Sequence, residues 1–495
     1  MGKHRVSHPY IPNSVPEVQK QMMQEIGITH IEELYCDIPG ELRFKGEMNM
    51  PEPLVSEWQL VRHMEQILSK NQTAKEALSF LGAGCYRHYV PAICDEIAGR
   101  AEFLTAYAGE PYEDHGRFQA LFEYQSMMAE LLDMDVVNVP TYDWCQAAST
   151  ALRMAGRITN RTEVLVAGNT NPQRLLAIGN YCHPAMKVHP VEYNRETGRL
   201  DIQGLKGKLT DNVAAVYLEN PNYFGVIESD GAAIAGIAHE NGSLFVVGSD
   251  PISLGILAPP SHYGADIACG DIQSLGIHMN FGGGVAGFVA TQDTEEYVAE
   301  FPFRLFGIAR TEVEGEWGFG DVYYDRTSFA KRELGKEFVG TAAALWGITA
   351  GVYLALMGPK GMQEIGRAIM QNSYYAASNL SEIQGVSIRN TGSPFFREFV
   401  ANFDESGLTV ARVNMALREK GIWGGKDISR EFPELGQSAL FCVTEMHTRE
   451  DIWILCDALR EIIASGKATV EGEATANRIA MAEEKARGNG KGERQ

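Results

Sequence analysis

Short apolar segments alternate with helical segments along the chain from about residue 117 onward. The segments 163–167, 214–218 and 244–247 are nearly continuous in apolar residues, and the segments 172–178 and 232–239 between them have helical patterns. Strands that are apolar on both faces are typical of a parallel sheet with crossover helices on both sides. The pattern therefore predicts an α/β fold with a mostly parallel sheet.

The pattern changes at both ends of this region, which divides the chain into four predicted parts. Residues 1–75 form an N-terminal helical arm, in which a capping box at 14–17 marks a helix start; a plain pair of surface helices is the alternative. Residues 76–340 form a large α/β domain, and residues 341–468 form a smaller C-terminal α+β domain. Residues 469–495 carry few large apolar groups, which predicts a disordered tail.

Charge and cysteine usage limit the partners and the compartment. The formal net charge of -21 repels phosphate backbones and anionic lipids, so we expect neither nucleic acid nor a membrane as a partner. The eight cysteines include no Cys-x-x-Cys pair, as expected of reduced, mostly buried thiols. The longest apolar stretch, 342–357, is too short to span a bilayer, and residues 1–16 contain no apolar signal-peptide core. We expect a cytoplasmic protein.

Several common catalytic motifs are missing from the sequence. The glycine clusters at 82–84 and 282–284 match neither a P-loop nor a dinucleotide-binding fingerprint, so we interpret them as tight turns. The histidines show neither helical i, i+4 pairing nor a His-Glu-x-x-His run, so no metal site is predicted. Serine hydrolase chemistry is not indicated, because there is no Gly-x-Ser-x-Gly elbow.

One region resembles the pyridoxal phosphate (PLP) apparatus of the aspartate aminotransferase fold, namely residues 245–250 followed by 263–267. In such enzymes an aspartate at the end of a strand pairs with the pyridinium nitrogen of PLP, and a nearby lysine forms a Schiff base with it. Asp250 is placed for the first role. The second role has no candidate, because no lysine occurs between Lys208 and Lys331. The chain therefore has the scaffold of a PLP enzyme without its defining nucleophile.

Five stretches carry a resemblance to one family. They are residues 79–91, 119–125, 220–228, 250–255 and 421–427. Together they are similar to subunit 1 of glycine decarboxylase, the glycine cleavage system P-protein, and the likeness runs from about residue 8 to 465. The resemblance implies a PLP-dependent transferase type I fold, with a large domain built on a mostly parallel sheet and a smaller C-terminal α+β domain.

The resemblance also implies a cytoplasmic heterotetramer in which PLP is held by the partner, subunit 2, and not covalently by this chain. Ser274 aligns near the position of the partner's lysine. In the family's reaction PLP is the electron sink for decarboxylation of glycine, and the aminomethyl group passes to the lipoyl group of the H-protein. This chain would be subunit 1 of an aminomethyl-transferring glycine dehydrogenase (decarboxylating), active only with its PLP-bearing partner.

Three segments depart from the family pattern. Residues 111–116 replace Pro-Glu-Ile-Ser-Gln-Gly in a loop within 105–117 that is one residue shorter. Residues 142–147 replace Tyr-Asp-Gly-Ala-Thr-Ala, and residues 331–338 replace Arg-Arg-Glu-Lys-Ala-Thr-Ser-Asn. Trp144 thus puts an indole where the family has a small residue, and we expect it to fill space that is otherwise open.

These departures leave three interpretations open. The loops drift freely because subunit 1 has no working pocket of its own. Alternatively, the chain is a paralogue whose complex acts on an amino acid other than glycine, with Glu113, Asp114, His115 and Trp144 reshaping a pocket at the interface. The third interpretation is a scaffold or regulatory pseudo-subunit that only stabilises its partner.

Candidate residues for the interface or substrate pocket follow from these motifs, without a certain catalytic role for any of them. They are His88, Tyr89, Tyr107, Glu113, His115, Tyr142, Asp143, Trp144, Asn222 and Arg397. Arg397 has the chemistry to bind a substrate carboxylate bidentately, and a surface ion pair is its alternative. For the others the alternative is ordinary packing or a turn cap.

Overall fold

The computed structural model describes residues 10–46, 48–104, 115–322, 326–340 and 342–466. The chain divides into two compact units, Met1–Asn71 and Gln72–Gln495. The predicted tail at 469–495 lies outside the described residues. The predicted division of the chain near residue 340 stays a prediction.

The helices and strands are numbered here in chain order. The helices are α1 Pro16–Ile26, α2 Glu57–Leu68, α3 Ala92–Ala98, α4 Ala101–Leu104, α5 His115–Leu132, α6 Trp144–Thr159, α7 Pro172–Cys182, α8 Ile202–Lys208, α9 Gly231–Glu240, α10 Glu295–Val298, α11 Ala344–Ser381, α12 Val410–Glu419 and α13 Arg449–Ser465. The strands are β1 Leu78–Ser79, β2 Val136–Val137, β3 Glu163–Ala167, β4 Lys187–Val191, β5 Val213–Glu219, β6 Leu244–Ser249, β7 Ile267–Asp271, β8 Gly287–Thr291, β9 Phe306–Arg310, β10 Trp317–Asp321, β11 Ser387–Ile388, β12 Glu398–Asn402, β13 Ile422–Trp423, β14 Lys426–Asp427 and β15 Ser438–Cys442.

The first unit contains helices α1 and α2, neither of which has a buried residue. Pro16 occupies the first turn of α1, where its missing N–H costs no hydrogen bond, and Gly27 ends the helix in a left-handed conformation. The predicted capping box at 14–17 is wrong: Val15 is the N-cap, and it has no polar side chain that could accept a hydrogen bond from the helix.

A seven-stranded sheet forms the centre of the second unit, in the order β2-β8-β7-β6-β5-β3-β4. The pairs β4–β3, β3–β5, β5–β6 and β6–β7 are parallel, whereas β8 runs antiparallel to both β7 and β2. All seven residues of β5 are buried. The predicted mostly parallel sheet is therefore confirmed, and its continuous apolar strands are explained by helices on both faces.

Alternate residues of the strands pack into two separate hydrophobic cores. Val164 and Val166 of β3 pack with the buried side of α6. Leu165, between them, packs into a second core with side chains from α5, α9 and α11. Successive residues of the strand face opposite sides of the sheet, and an apolar core covers each side. The sequence therefore shows no polar positions there.

The C-terminal part of the second unit is built on a four-stranded antiparallel sheet, β11-β12-β15-β14. Its core includes Phe399 of β12 and Phe441 of β15, packed against α12 and α13. Phe80 also belongs to this core, because β1 pairs in parallel with β13. The α+β character predicted for this part is confirmed. The long helix α11 is interrupted at Gly358, which has a φ of 56°, just before Pro359.

Within the described ranges, none of the helices is both long enough and apolar enough to cross a membrane. The same residues contain no group of three or more His, Cys, Asp or Glu side chains that could hold a metal ion.

Candidate functional site

A polar cleft lies where β5 and β6 end and where α6 and α7 begin. The carboxyl ends of parallel strands are the usual place for a ligand in such sheets. Its lining residues are Tyr86, Trp144, Asn171, Arg174, Glu219, Pro221, Asn222, Tyr223, Asp250, Phe396, Arg397 and Glu398. The enclosed volume is about 20 Å³, which is room for about one water molecule. The cleft is thus filled mostly by side chains of the chain itself.

Arg397 and Asp250 form a buried ion pair at the centre of this cleft. Arg397 Nη1 lies 2.7 Å from Asp250 Oδ2, and both residues are buried. Ser274 Oγ donates a hydrogen bond of 2.8 Å to the other carboxylate oxygen of Asp250. Burial is the largest single influence and opposes the charge of Arg397, but Asp250, Tyr86 and Glu398 together outweigh it and raise the pKa of the guanidinium. Arg397 is therefore a fixed cation, held by a carboxylate of its own chain.

His88 connects this ion pair to a second carboxylate. Its Nε2 lies 3.3 Å from Arg397 Nη1. Because a guanidinium only donates, Nε2 must accept. Its Nδ1 lies 2.9 Å from Glu445 Oε2 and therefore donates the ring's single proton to that carboxylate. His88 is buried as a neutral, oriented imidazole, while the side chain of the next residue, Tyr89, is 59% exposed.

Trp144 lies inside the fold, at the first turn of α6. Its Nε1 donates to Tyr217 Oη over 3.1 Å, and the guanidinium of Arg174 lies 3.8 Å above its ring. Arg174 Nη1 is in turn 2.5 Å from Glu219 Oε1. The predicted filling of space is confirmed, because Trp144 is buried in a hydrophobic core and a Cβ at Gly248 would stand only 2.9 Å from the indole.

Asp143 and Tyr142 precede Trp144 and have different environments. The side chain of Asp143 accepts a hydrogen bond of 2.7 Å from the N–H of Gln146 and so caps α6. The side chain of Tyr142 is 53% exposed. Tyr142 is therefore available to another molecule, whereas Asp143 holds the local backbone.

Asn222 is buried and holds a tight turn. Its Oδ1 accepts hydrogen bonds from the N–H groups of Phe224 and Val226, and its Nδ2 donates to the carbonyl of Gly198. The backbone N–H of Phe396 then bonds to the carbonyl of Gly225 in this turn. The turn thereby positions the segment that carries Arg397.

The glycine cluster at 82–84 is a structural turn, as interpreted from the sequence. Glu398 Oε1 accepts from the N–H of Ala83 over 2.6 Å, and Oε2 accepts from Tyr86 Oη over 3.1 Å. A Cβ at Gly82 would stand 2.5 Å from Glu398 Oε1, so only glycine allows this approach. Burial raises the pKa of Glu398.

The altered segment 331–338 is attached to α6 and α7 through Glu337. This carboxylate accepts hydrogen bonds from Thr150, Tyr181 and Arg157. Arg157 also pairs with Glu300. Glu337 therefore fixes this altered segment by hydrogen bonds. Phe338, in the same segment, is 70% exposed.

The structure brings together only some of the residues predicted from the sequence. His88, Arg397, Asp250 and Ser274 form one connected cluster, and Trp144 and Asn222 line the same cleft. Tyr89, Tyr142 and Asp143 do not line it. Tyr107, Glu113 and Asp114 lie outside the described residues, and His115 is described only as the first residue of α5.

Sequence reasoning missed the charged residues Arg174, Glu219 and Glu398, together with Tyr86. A signal existed for Glu219, because a carboxylate at the end of an otherwise apolar strand has to be paired when it is buried. The same signal marked Glu398 at the start of β12, but its partners come from the distant turn at 82–86 and could not be named from the sequence.

Asp271, at the end of β7, is expected to make the free energy of unfolding depend on pH. Burial raises its pKa from 3.8 to about 7, against the opposing hydrogen bonds from the N–H groups of Gln273 and Ala286. The folded chain therefore holds this proton up to a higher pH than the unfolded chain. The associated stability is fully present below about pH 4 and is lost as the pH rises to about 7.

The variant Asp271→Asn is expected to lack this loss. Relative to the wild type, its free energy of unfolding should rise by about 2–4 kcal/mol between about pH 4 and about pH 7.5. Denaturant unfolding of both proteins at a series of pH values measures the difference. A difference that stays constant with pH would show that Asp271 titrates normally.

The residues of this cleft do not fit PLP. Asp250, the candidate partner for a pyridinium nitrogen, is already bound by Arg397 and Ser274. No lysine lies between Lys208 and Lys331, and the enclosed space of about 20 Å³ holds about one water molecule. Opening the cleft would require Arg397 to leave a buried ion pair.

Comparisons with known proteins agree with the resemblance seen in the sequence. The family model described as glycine cleavage system P-protein matches residues 8–459. A probable glycine dehydrogenase (decarboxylating) subunit 1 from Staphylothermus marinus is 41% identical over 466 residues, covering 92% of this chain and 98% of the relative. The protein of the same description from Pyrococcus furiosus is 39% identical, covering 94% of this chain and 100% of the relative.

Solved structures match the fold as well. The crystal structure of glycine decarboxylase (P-protein) of the glycine cleavage system, in inhibitor-bound form, superposes with a TM-score of 0.80 at 34% identity. It covers 92% of this chain and 100% of that chain. A sphingosine-1-phosphate lyase from Burkholderia pseudomallei, with a TM-score of 0.63 at 15% identity, shares the fold alone. The predicted fold class is confirmed, and the chain belongs to the glycine cleavage system P-protein family.

Proposed function

We propose that this chain is the cofactor-free subunit of a two-subunit glycine decarboxylase whose partner holds PLP on a lysine. The observation that carries the proposal is the filled cleft. Arg397 is paired with Asp250 there, and Ser274, which aligns near the position expected for the partner's lysine, donates a hydrogen bond to the same aspartate. The relatives named subunit 1 support a division of labour between two chains.

In this proposal the chain contributes through its surface. Tyr89 and Tyr142 are more than half exposed. Each stands on a fixed support, since the N–H of Tyr89 donates to Glu445 over 2.8 Å and Asp143 caps α6. Side chains presented on a rigid backbone are suited to completing an active site across an interface.

The partner's PLP would supply the electron sink for the loss of carbon dioxide from glycine, and the lipoyl group of the H-protein would accept the aminomethyl group. We place the complex in the cytoplasm. The eight cysteines are free, which suits a reducing compartment. The net charge of -21 supports the expectation that neither nucleic acid nor a membrane surface is a partner.

Reconstitution tests this function. The chain is purified from its native host with any bound partner, and release of carbon dioxide from carboxyl-labelled glycine is measured with lipoylated H-protein. The pair is expected to be active and to absorb as a PLP enzyme, whereas the isolated chain should be colourless and inactive. PLP bound covalently to the isolated chain would contradict the proposal.

A second candidate is a complex that acts on a different amino acid. The exposed Phe338 in the altered segment 331–338 is the observation in its favour. Trp144 does not favour it, because the indole faces the interior. Assaying the pair on larger amino acids decides the matter, and glycine as the best substrate would exclude this candidate.

Substitution of the exposed tyrosines separates a catalytic contribution from a scaffold role. If the chain completes the partner's site, Tyr142→Ala or Tyr89→Ala is expected to reduce turnover by about 10-fold or more while the complex stays intact by gel filtration. The more exposed Leu176, 75% exposed on α7, supplies the control Leu176→Ala. Unchanged turnover in both tyrosine variants would favour a scaffold.

A further inference from the structure

Arg397 is held from several directions by groups that come from separate parts of the chain. Besides Asp250 and His88, the guanidinium meets the ring of Tyr86, whose centre lies 3.2 Å from the guanidinium carbon. Tyr86 is itself fixed by Gln273, which accepts from its backbone N–H over 3.0 Å and donates to its carbonyl over 2.9 Å. Arg397 also has a left-handed backbone with a φ of 62°, which is unfavourable for a residue with a side chain.

The shell around this guanidinium has the chemistry of a binding site. A carboxylate supplies charge, the face of a phenol ring attracts a flat cation, and an imidazole nitrogen accepts a hydrogen bond. A planar guanidinium can satisfy all three at once, whereas an ammonium on a flexible stem cannot stack. The contact with Asp250 is an ion pair without an aligned hydrogen bond, and Arg397 Nε has no acceptor. The guanidinium is therefore held mainly by its charge and by stacking on Tyr86, and not by a full set of hydrogen bonds.

We propose that Asp250, Tyr86, His88 and Ser274 form a binding site for a planar cation, and that the chain fills this site with its own Arg397. Arg397 acts as a built-in ligand, which explains why the enclosed space of the cleft holds only about one water molecule. The inference rests on the geometry of the cleft and does not require the function proposed above.

Rescue by a free cation tests the site. Arg397→Ala is expected to lower the thermal midpoint by several degrees, because Asp250 is left buried without its counter-charge. Guanidinium at low millimolar concentration, far below its denaturing range, should restore at least half of that loss. Sodium and tetramethylammonium at the same ionic strength should restore little. The wild type and Arg460→Ala, which removes an exposed arginine, should show no rescue.

The carboxylate is checked by a second variant. In Arg397→Ala combined with Asp250→Asn, guanidinium is expected to have no effect, since the charge that attracts it is gone. Equal rescue of this double variant, or equal rescue by sodium, would overturn the proposal.

If Arg397→Ala does not fold, Arg397→Lys provides the measurement. Its ammonium cannot stack on Tyr86, so its midpoint should lie below that of the wild type. A midpoint equal to that of the wild type would show that the site has no preference for a planar cation.

Discussion

Gly225→Ala is expected to be among the most damaging single substitutions in the chain, with a loss of more than about 4 kcal/mol in the free energy of unfolding. Gly225 has a φ of 79°, and a Cβ added there would stand 1.8 Å from the carbonyl oxygen of Glu398. That neighbour is backbone of β12 and cannot rotate away. The turn held by Asn222 would have to separate from the segment that carries Arg397.

Gly392→Ala is the matched control, because no atom lies within 4 Å of a Cβ built there. It should change the stability by less than about 0.5 kcal/mol. Denaturant unfolding monitored by circular dichroism compares the two variants, with soluble yield as the readout if Gly225→Ala does not fold. Equal behaviour of both variants would mean that the turn and β12 do not approach each other this closely.

Glu219→Ala is expected to cost about 3–5 kcal/mol, because it leaves the buried guanidinium of Arg174 without its carboxylate. Both side chains of this ion pair are almost completely buried, at 7% and 2% exposure. Glu219 also accepts hydrogen bonds from Tyr217 Oη and the N–H of Asn171. The stacking of Arg174 on Trp144 should loosen at the same time, which tryptophan fluorescence would report.

Two controls separate burial from charge in this case. The double variant Arg174→Met with Glu219→Met should lose less stability than Glu219→Ala, since no unpaired charge remains. Asp457→Ala removes a partner of an exposed arginine and should cost less than about 1 kcal/mol. If Glu219→Ala costs no more than Asp457→Ala, the pair around Trp144 does not contribute to stability as described.

The sheet could be predicted because its signal is local. The strands β3, β5 and β6 are continuous in apolar residues, and helical patterns separate them, so that period and length identify them. The prediction of a capping box was wrong because the residues at 14–17 are compatible with more than one helix start. The helix begins at Pro16, with Val15 as its N-cap. The pairing of β1 with β13 could not be predicted, since it depends on two-residue strands far apart in sequence.

The site could be predicted only as a set of residues, not as an arrangement. The absence of a lysine was visible in the sequence, and Asp250 was identified as the carboxylate at a strand end. The partner of that carboxylate was not, because Arg397 comes from a distant segment and reaches Asp250 through an unusual backbone conformation. Likewise, the letters around Trp144 indicate an altered turn, but only the packing of Arg174 and Tyr217 shows that the indole points inward.

The paired Arg397 and Asp250 also limit what this chain could become. Ser274→Lys alone would place a second cation beside an aspartate that is already neutralised, in a cleft whose enclosed space holds about one water molecule. Loss of Arg397 alone would leave Asp250 as a buried, unpaired charge. Both single substitutions therefore lead to a less stable protein, and two changes would have to arrive together to give this cleft a lysine and an open aspartate. The ion pair thus opposes conversion of the cleft into a cofactor site by single mutations.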